Sequence, residues 1–128
     1  KLEDVLHLYQ AVGWTNYTNQ PQMLEQALSH SLAIYLALDG DTVVGLIRLV
    51  GDGFSSVFVQ DLIVLPSYQR QGIGGSLMKE ALEDFKETYQ VQLATEQTEK
   101  NVGFYRSMGF ETLSTYDCTG MIWVNREK

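Results

Sequence analysis

The chain opens on an apolar pattern with helical spacing. Val5, Leu6, Leu8, Tyr9 and Val12 share one face, which predicts a helix stopped by Gly13. A second helix is expected after Asn19, a candidate N-cap. Pro21 falls in its first turn, and Met23, Leu24, Ala27 and Leu28 form its apolar face. Residues 14–18 between them read as a loop whose two aromatic rings pack. The period then changes. Residues 31–38 and 42–50 are strand candidates on either side of the turn Asp39-Gly40-Asp41, and together they read as a hairpin. After a turn at Gly51-Asp52-Gly53, residues 57–65 form a long apolar strand that ends at Pro66. Only Gln60 and Asp61 interrupt it.

The best helix covers residues 74–89. Leu77, Met78, Ala81, Leu82 and Phe85 lie on one side, with Lys79, Glu80, Glu83 and Asp84 on the other. Residues 91–95 read as a buried strand. Residues 99–108 form a shorter helix ended by Gly109, and residues 110–116 and 120–124 are expected to be two closing strands. One crossover helix joins strands 57–65 and 91–95, so these two should run parallel. The order predicts an α+β class: a mixed, mostly antiparallel twisted sheet flanked by about four helices, in a single domain over residues 1–128.

Composition changes this picture little. The chain is 45% hydrophobic and 20% charged, ordinary for a globular core. No run approaches the roughly 18 apolar residues that span a bilayer, so no membrane partner is expected. The net charge of −7 argues against nucleic acid, which needs a basic face. It suits a cationic partner, and equally well plain solubility. Cys118, the only cysteine, has no disulfide partner and fits a cytoplasmic protein. It has no nearby histidine to activate it. His7 and His30 lie far apart, and no metal site is expected. The chain begins at Lys1 without an initiator Met, which leaves room for a short strand ahead of it.

The chemistry concentrates at Gln69-Arg-Gln-Gly-Ile-Gly74, between a buried strand and a helix. A helix start carries unpaired N–H groups and about half a positive charge, and such a turn converges on an anion. Gly72 and Gly74 let backbone approach a phosphate, and Arg70, Lys79 and Ser76 can add donors. The spacing fits neither a Walker loop nor a dinucleotide fingerprint. On these residues alone, an anion site and a plain strand-to-helix turn read equally well.

The segment resembles the signature Arg/Gln-x-x-Gly-x-Gly/Ala of the GNAT superfamily of acyl-CoA N-acyltransferases. A second segment, Asn101-Val-Gly-Phe-Tyr-Arg-Ser-Met-Gly-Phe110, resembles that family's Asn-x-x-x-Tyr-x-x-x-Gly-Phe. One strand separates the two, as in the family. The resemblance runs from about Thr42 to the C-terminus. The N-terminal helices, which contact the acceptor in this family, fit loosely.

The resemblance implies an N-acetyltransferase that moves the acetyl group of acetyl-CoA to a small-molecule or peptide amine. It implies that strands 57–65 and 91–95 splay apart, so that the pantetheine arm pairs with the main chain of Leu62, Ile63 and Val64. An amide at Val64 or nearby would polarise the thioester carbonyl. The pyrophosphate would lie on Gln69, Arg70, Gln71, Gly72, Ile73 and Gly74, and Gly75 and Ser76, in the first turn of the helix, would also contact the cofactor. Asn101 would hydrogen-bond the cofactor arm, and Tyr105 would protonate the departing thiolate. Phe104 and Phe110 are assigned to the core, with Tyr105 pointing elsewhere. Asp61 is the first candidate base, because a carboxylate in an apolar strand is costly unless paired or functional. Glu96 is the second. The place where some members carry a basic glutamate holds Phe58. The rival readings are a non-catalytic acyl-CoA-binding module and an interaction domain that forms a homodimer through the closing strands.

Overall fold

The computed structural model describes residues 2–125. It falls into two compact units, one up to Leu93 and one from Ala94 onward.

In the first unit α1 (Leu2–Ala11) buries Val5, Leu8 and Tyr9, and Gly13 at φ 75° ends the run. The expected loop at 14–18 contains a single helical turn, α2 (Thr15–Thr18). A four-residue helix has no stability of its own. Packing holds it: the Tyr9, Trp14 and Tyr17 rings lie with centroids 5.1–6.3 Å apart. Helix α3 (Pro21–Ser29) begins with proline as expected, but its N-cap is Gln20, and Asn19 closes α2 instead.

Among the described residues the sheet has four strands in the order β1 (Ala33–Asp39), β2 (Thr42–Gly51), β3 (Ser56–Val64), β4 (Gln90–Leu93). The first three are antiparallel, and β4 runs parallel to β3, as the crossover required. β2 is buried continuously over residues 43–49 because both its faces are covered. Helix α1 and Leu24 of α3 lie over Val44, Leu46 and Ile63. On the other face Ile73, at the start of α4 (Ile73–Asp84), sits against Gly45, where an added Cβ would come within 3.3 Å of it.

Helix α4 is shorter than its apolar period suggests. Phe85 leaves helical geometry. Beyond it Thr88 Oγ1 donates to the Gly53 carbonyl at 2.8 Å, and Tyr89 N–H to the Phe54 carbonyl at 2.9 Å. These bonds draw the chain toward β4. The β2–β3 turn that receives them is built on Asp52, whose carboxylate accepts the N–H groups of Phe54, Ser55 and Ser56. These bonds and that of the Ser55 hydroxyl hold the Asp52 carboxyl well below the usual range. Gly51 has φ 131°, and a Cβ there would collide with the Ser56 carbonyl oxygen. Gly51→Ala is therefore expected to cost about 2–3 kcal/mol, read as a lower urea midpoint at unchanged slope.

The second unit holds α5 (Glu99–Ser107), capped by the Thr98 side chain and stopped at Gly109, φ 99°. The two closing strands are absent among the described residues. Leu113–Tyr116 is a 3-10 turn, with Asp117 left-handed at φ 59° and Cys118 N–H returning to Leu113 C=O at 3.0 Å. Thr112, Ser114 and Thr115 hydroxyls bond one another there. Such local bonds compete with a strand ladder. Residues 120–124 have no regular structure, and Met121 and Trp123 are 94% and 85% exposed. Their apolar period met no partner strand, and a strand is not stable without one.

Candidate active site

The site begins with a register shift. Arg48 pairs with Asp61, but Leu49 pairs with Val59, so Gln60 is an extra residue in β3. Neighbours in β2 face opposite ways, and paired residues share a face. Val59 and Asp61 therefore lie on opposite faces although two residues apart. Val59 faces the α4 side. Asp61 and Ile63 face α1. The bulge delivers the one carboxylate of this strand into the opposite layer.

Beyond the bulge β3 loses its outer neighbour, since the β3–β4 pairing covers only Ser56–Val59 and Gln90–Leu93. Leu65 N–H donates to the Val44 carbonyl at 2.9 Å, which sets the phase of the strand. By alternation Ile63 turns its main-chain groups into the β2 ladder, and Leu62 and Val64 turn theirs outward. Of the three residues expected to meet the pantetheine arm, two thus present main-chain groups on the open side. The Val64 carbonyl is already taken by Gln69 Nε2 at 3.0 Å, which leaves its N–H pointing outward.

The loop follows. Pro66–Tyr68 forms a 3-10 turn, tied by the Tyr68 hydroxyl to Asp39 Oδ2 at 2.6 Å. Arg70 has φ 66° and Gly72 φ 83°, both left-handed. Gly72 is the N-cap of α4, no side chain caps the helix, and no acidic residue sits in its first turn. The first intrahelical bond runs from Ser76 N–H to Gly72 C=O at 3.0 Å. The N–H groups of Ile73, Gly74 and Gly75 precede it, as helix geometry dictates. A Cβ on Gly72 would meet nothing within 4 Å. Gly72 is therefore required by its backbone angle and leaves open space beside uncapped donors. That arrangement fits a phosphate. Gln71, Gly72, Ile73 and Ser76 also line a groove of about 580 Å³ against β1.

Asp61 is 3% exposed and Arg48 4%. Asp61 Oδ2 accepts Arg48 Nε at 2.7 Å and the Tyr9 hydroxyl at 2.8 Å, and Oδ1 accepts the Tyr17 hydroxyl at 3.1 Å. Arg48 also reaches the Ser31 hydroxyl at 3.2 Å and the Ala27 carbonyl at 3.4 Å. Burial alone would draw Arg48 down, but the bond and charge of Asp61 outweigh it and raise it. Burial, then the Asp61 charge, raise Tyr9 and Tyr17, so both stay protonated donors. The sequence left Asp61 either paired or functional, and the structure shows the pair. Arg48, Tyr9 and Tyr17 were missed. The available signal was a lone arginine in an apolar strand, one hairpin away from a lone aspartate.

In the second unit Asn101 and Tyr105 stand four residues apart on one face of α5. Asn101 N–H donates to Thr98 Oγ1 at 3.1 Å and its side-chain amide to the Glu96 carbonyl at 3.5 Å. Glu96 is exposed. Tyr105 is half-buried and packs edge-on against both Phe104 and Phe110, with centroids 5.0 and 6.1 Å apart. The expectation that it points away from them is thereby corrected: the turn at Gly109 brings Phe110 N–H back to the Tyr105 carbonyl at 3.0 Å. Burial raises Tyr105, so it holds its proton at neutral pH.

The site is thus a mixed sheet whose third strand runs on past its parallel neighbour, beside an uncapped, glycine-bearing helix start. The sequence profile of the acetyltransferase (GNAT) domain matches residues 30–112, and the chain belongs to that family. It is 88% identical to the solved acetyltransferase GNAT family protein SP0256 from Streptococcus pneumoniae TIGR4, with a TM-score of 0.90 over 98% of this chain and 92% of that one. It is 28% identical over 130 residues to GCN5-related N-acetyltransferase 1, chloroplastic, of Arabidopsis thaliana, covering 99% of this chain and 64% of that protein. Over 95 residues it is 32% identical to serotonin N-acetyltransferase 2, chloroplastic, of Oryza sativa, covering 71% of this chain and 48% of that protein. The chain thus spans about half to two-thirds of the curated relatives it matches. Among the described residues no helix is long and apolar enough to cross a membrane.

Proposed function

We propose that the protein is an N-acetyltransferase that moves the acetyl group of acetyl-CoA to a primary amine by direct attack on the thioester. The observation that carries this is the uncapped start of α4 behind a left-handed Gly72, in a chain of the GNAT family. The pyrophosphate lies on the N–H groups of Ile73, Gly74 and Gly75. The pantetheine arm follows the outward main chain of Leu62 and Val64, where the Val64 N–H can stabilise the developing oxyanion. Asn101 steadies the arm.

Two protons must move. The ammonium loses one before attack, and the CoA thiolate gains one on leaving. Both oxygens of Asp61 are engaged, so the first proton falls to Glu96 or to water that reaches bulk solvent. Tyr105 supplies the second, and its phenolate takes back the proton that the attacking nitrogen gives up as the amide forms, so one proton in all leaves to solvent. Tyr105→Phe keeps the ring between Phe104 and Phe110 and deletes only the hydroxyl. It should lower the single-turnover rate about a hundredfold or somewhat less, because a thiolate of pKa about 8.5 leaves readily. CoA affinity should barely change. Full single-turnover activity in the variant would make Tyr105 a packing residue.

A relative named for serotonin supports an amine acceptor and leaves its identity open. A thiol-release screen of acetyl-CoA against chemically diverse amines and alcohols tests the assignment. Turnover with a class of amines supports it. Turnover only with hydroxyl acceptors overturns it.

A further inference from the structure

The buried polar network is more than a way to satisfy a charge. It sits at the one point where β3 changes register, and it ties together every element of that layer. Tyr9 comes from α1, Tyr17 from α2, and the Ala27 carbonyl and Ser31 from the end of α3. Arg48 and Asp61 themselves face each other across β2 and β3. A bulge leaves its extra residue unpaired and bends the strand. The bend at Gln60 therefore decides where the next residues point. Those residues are Leu62 and Val64, the outward main chain proposed to meet the thioester. The far end of the same short segment is held as well, by Gln69 Nε2 on the Val64 carbonyl. A strand segment without an outer neighbour is thus clamped by side chains at both ends.

We infer that Asp61 and Arg48 are positioning residues for acyl transfer: their pair locks the bulge at Gln60 and so aims the Leu62 and Val64 main-chain groups at the thioester. The inference rests on the acyl-CoA reading above. It assigns Asp61 a role that does not involve taking a proton from the amine. The groups facing its carboxylate are Arg48, Tyr9 and Tyr17, with the Ser31 hydroxyl on the far side of the guanidinium. Arg48, Tyr9 and Tyr17 donate to the carboxylate, while Ser31 Oγ accepts from the guanidinium; no oxygen of Asp61 is turned to solvent, since the side chain is 2% exposed. Tyr17 extends the clamp to α2, so the helix and the thioester strand share one anchor.

Two variants of the full chain separate this role from its rivals. Asp61→Asn keeps the shape and the acceptor oxygen but loses the charge. The double variant Arg48→Met with Asp61→Leu removes the pair and fills the space with apolar side chains, an exchange that buried ion pairs often tolerate without loss of stability. The readouts are the CoA Kd by calorimetry, the thermal midpoint, and the single-turnover rate against pH with saturating amine. Both variants are expected to bind CoA within about threefold of the unmutated protein, because the loop is untouched. Both should lose about tenfold to a hundredfold in rate, as misaimed groups do. In Asp61→Asn the loss should be equal at every pH, with the midpoint of the rate profile unmoved.

Disappearance of the rising limb of that profile in Asp61→Asn would overturn the inference and make Asp61 the base. A stable double variant with the unmutated rate would overturn it too and make the pair merely structural. The control is the unmutated chain. Absence of CoA binding or of amine acetylation there defeats the acyl-CoA reading itself, and is seen without any variant.

Discussion

Replacing Arg48 with alanine is expected to destabilise the protein by about 3–5 kcal/mol, the cost of leaving a buried carboxylate without its cation. For a chain of 128 residues this corresponds to a fall of roughly 10–20 °C in the thermal midpoint. The size follows from position. Asp61 and Arg48 have side chains 2% and 5% exposed, and Arg48 Nε lies 2.7 Å from the carboxylate. Lys86 and Glu83 are as close, at 2.9 Å, but both are more than 60% exposed. Lys86→Ala should therefore change stability by less than about 1 kcal/mol. Equal effects of the two substitutions would contradict the reading of the network as a buried anchor. The same network sets an alkaline limit. Tyr9 and Tyr17 lie above the ordinary tyrosine value of 10.0, first through burial and then through the charge of Asp61. Their folded values exceed their unfolded ones. Their contribution is thus complete below pH 10 and is lost as the pH rises toward the folded values. The midpoint should be flat between about pH 7 and 9 and fall above about 10. Tyr9→Phe should reduce that slope.

Gly72→Val is expected to weaken CoA binding by at least about a hundredfold. Two effects combine. Valine is a poor occupant of φ 83°, which costs about 1–2 kcal/mol in the fold. Its branched side chain would also fill the open space beside the Ile73, Gly74 and Gly75 amides. Each hydrogen bond to a charged group contributes about 1.5–3 kcal/mol, so losing one or two accounts for a hundredfold. In the unmutated chain acetyl-CoA at a hundred times its Kd should add about 2.7 kcal/mol of stability. That gain should fall to about 0.4 kcal/mol or less in the variant at the same concentration. Gly72→Asn is the control for the backbone term, since asparagine tolerates the left-handed region. A Gly72→Val protein that is folded and binds CoA normally would remove the loop from the site.

The strands and the crossover were legible because their signals are local. Alternation, the Asp39-Gly40-Asp41 turn and Pro66 mark β1 to β3, and a single helix between two apolar strands forces the parallel β4. The loop was legible because glycine and a helix start have few uses together. What failed needed partners that the local pattern does not name. The apolar run at 120–124 has strand character but no neighbour strand, and Thr112, Ser114 and Thr115 spend their hydroxyls on each other. Helix α4 stops at Asp84 because Thr88 is drawn to Gly53, a contact 35 residues away. Asp61 was found as an anomaly, and its alternatives were stated correctly. Choosing between them required the register shift at Gln60, which brings Arg48 opposite it. A one-residue slip reverses the facing of a strand, and hydrophobic pattern alone does not reveal it where the buried residues keep the same parity on both sides. Val57, Val59, Asp61 and Ile63 do just that.

The central claim is that an amine attacks the thioester directly. One single-turnover experiment tests it: the protein is loaded with acetyl-CoA, mixed with an amine found in the screen, and quenched at intervals for intact-mass spectrometry of protein and small molecules. The expected result is one acetylated amine nitrogen for each CoA thiol released, with the mass of the chain unchanged throughout. An acetyl group on the chain, on Cys118 or elsewhere, that forms and decays at the rate of product formation would contradict direct attack, and thiol release without acetylated amine would contradict the transferase itself.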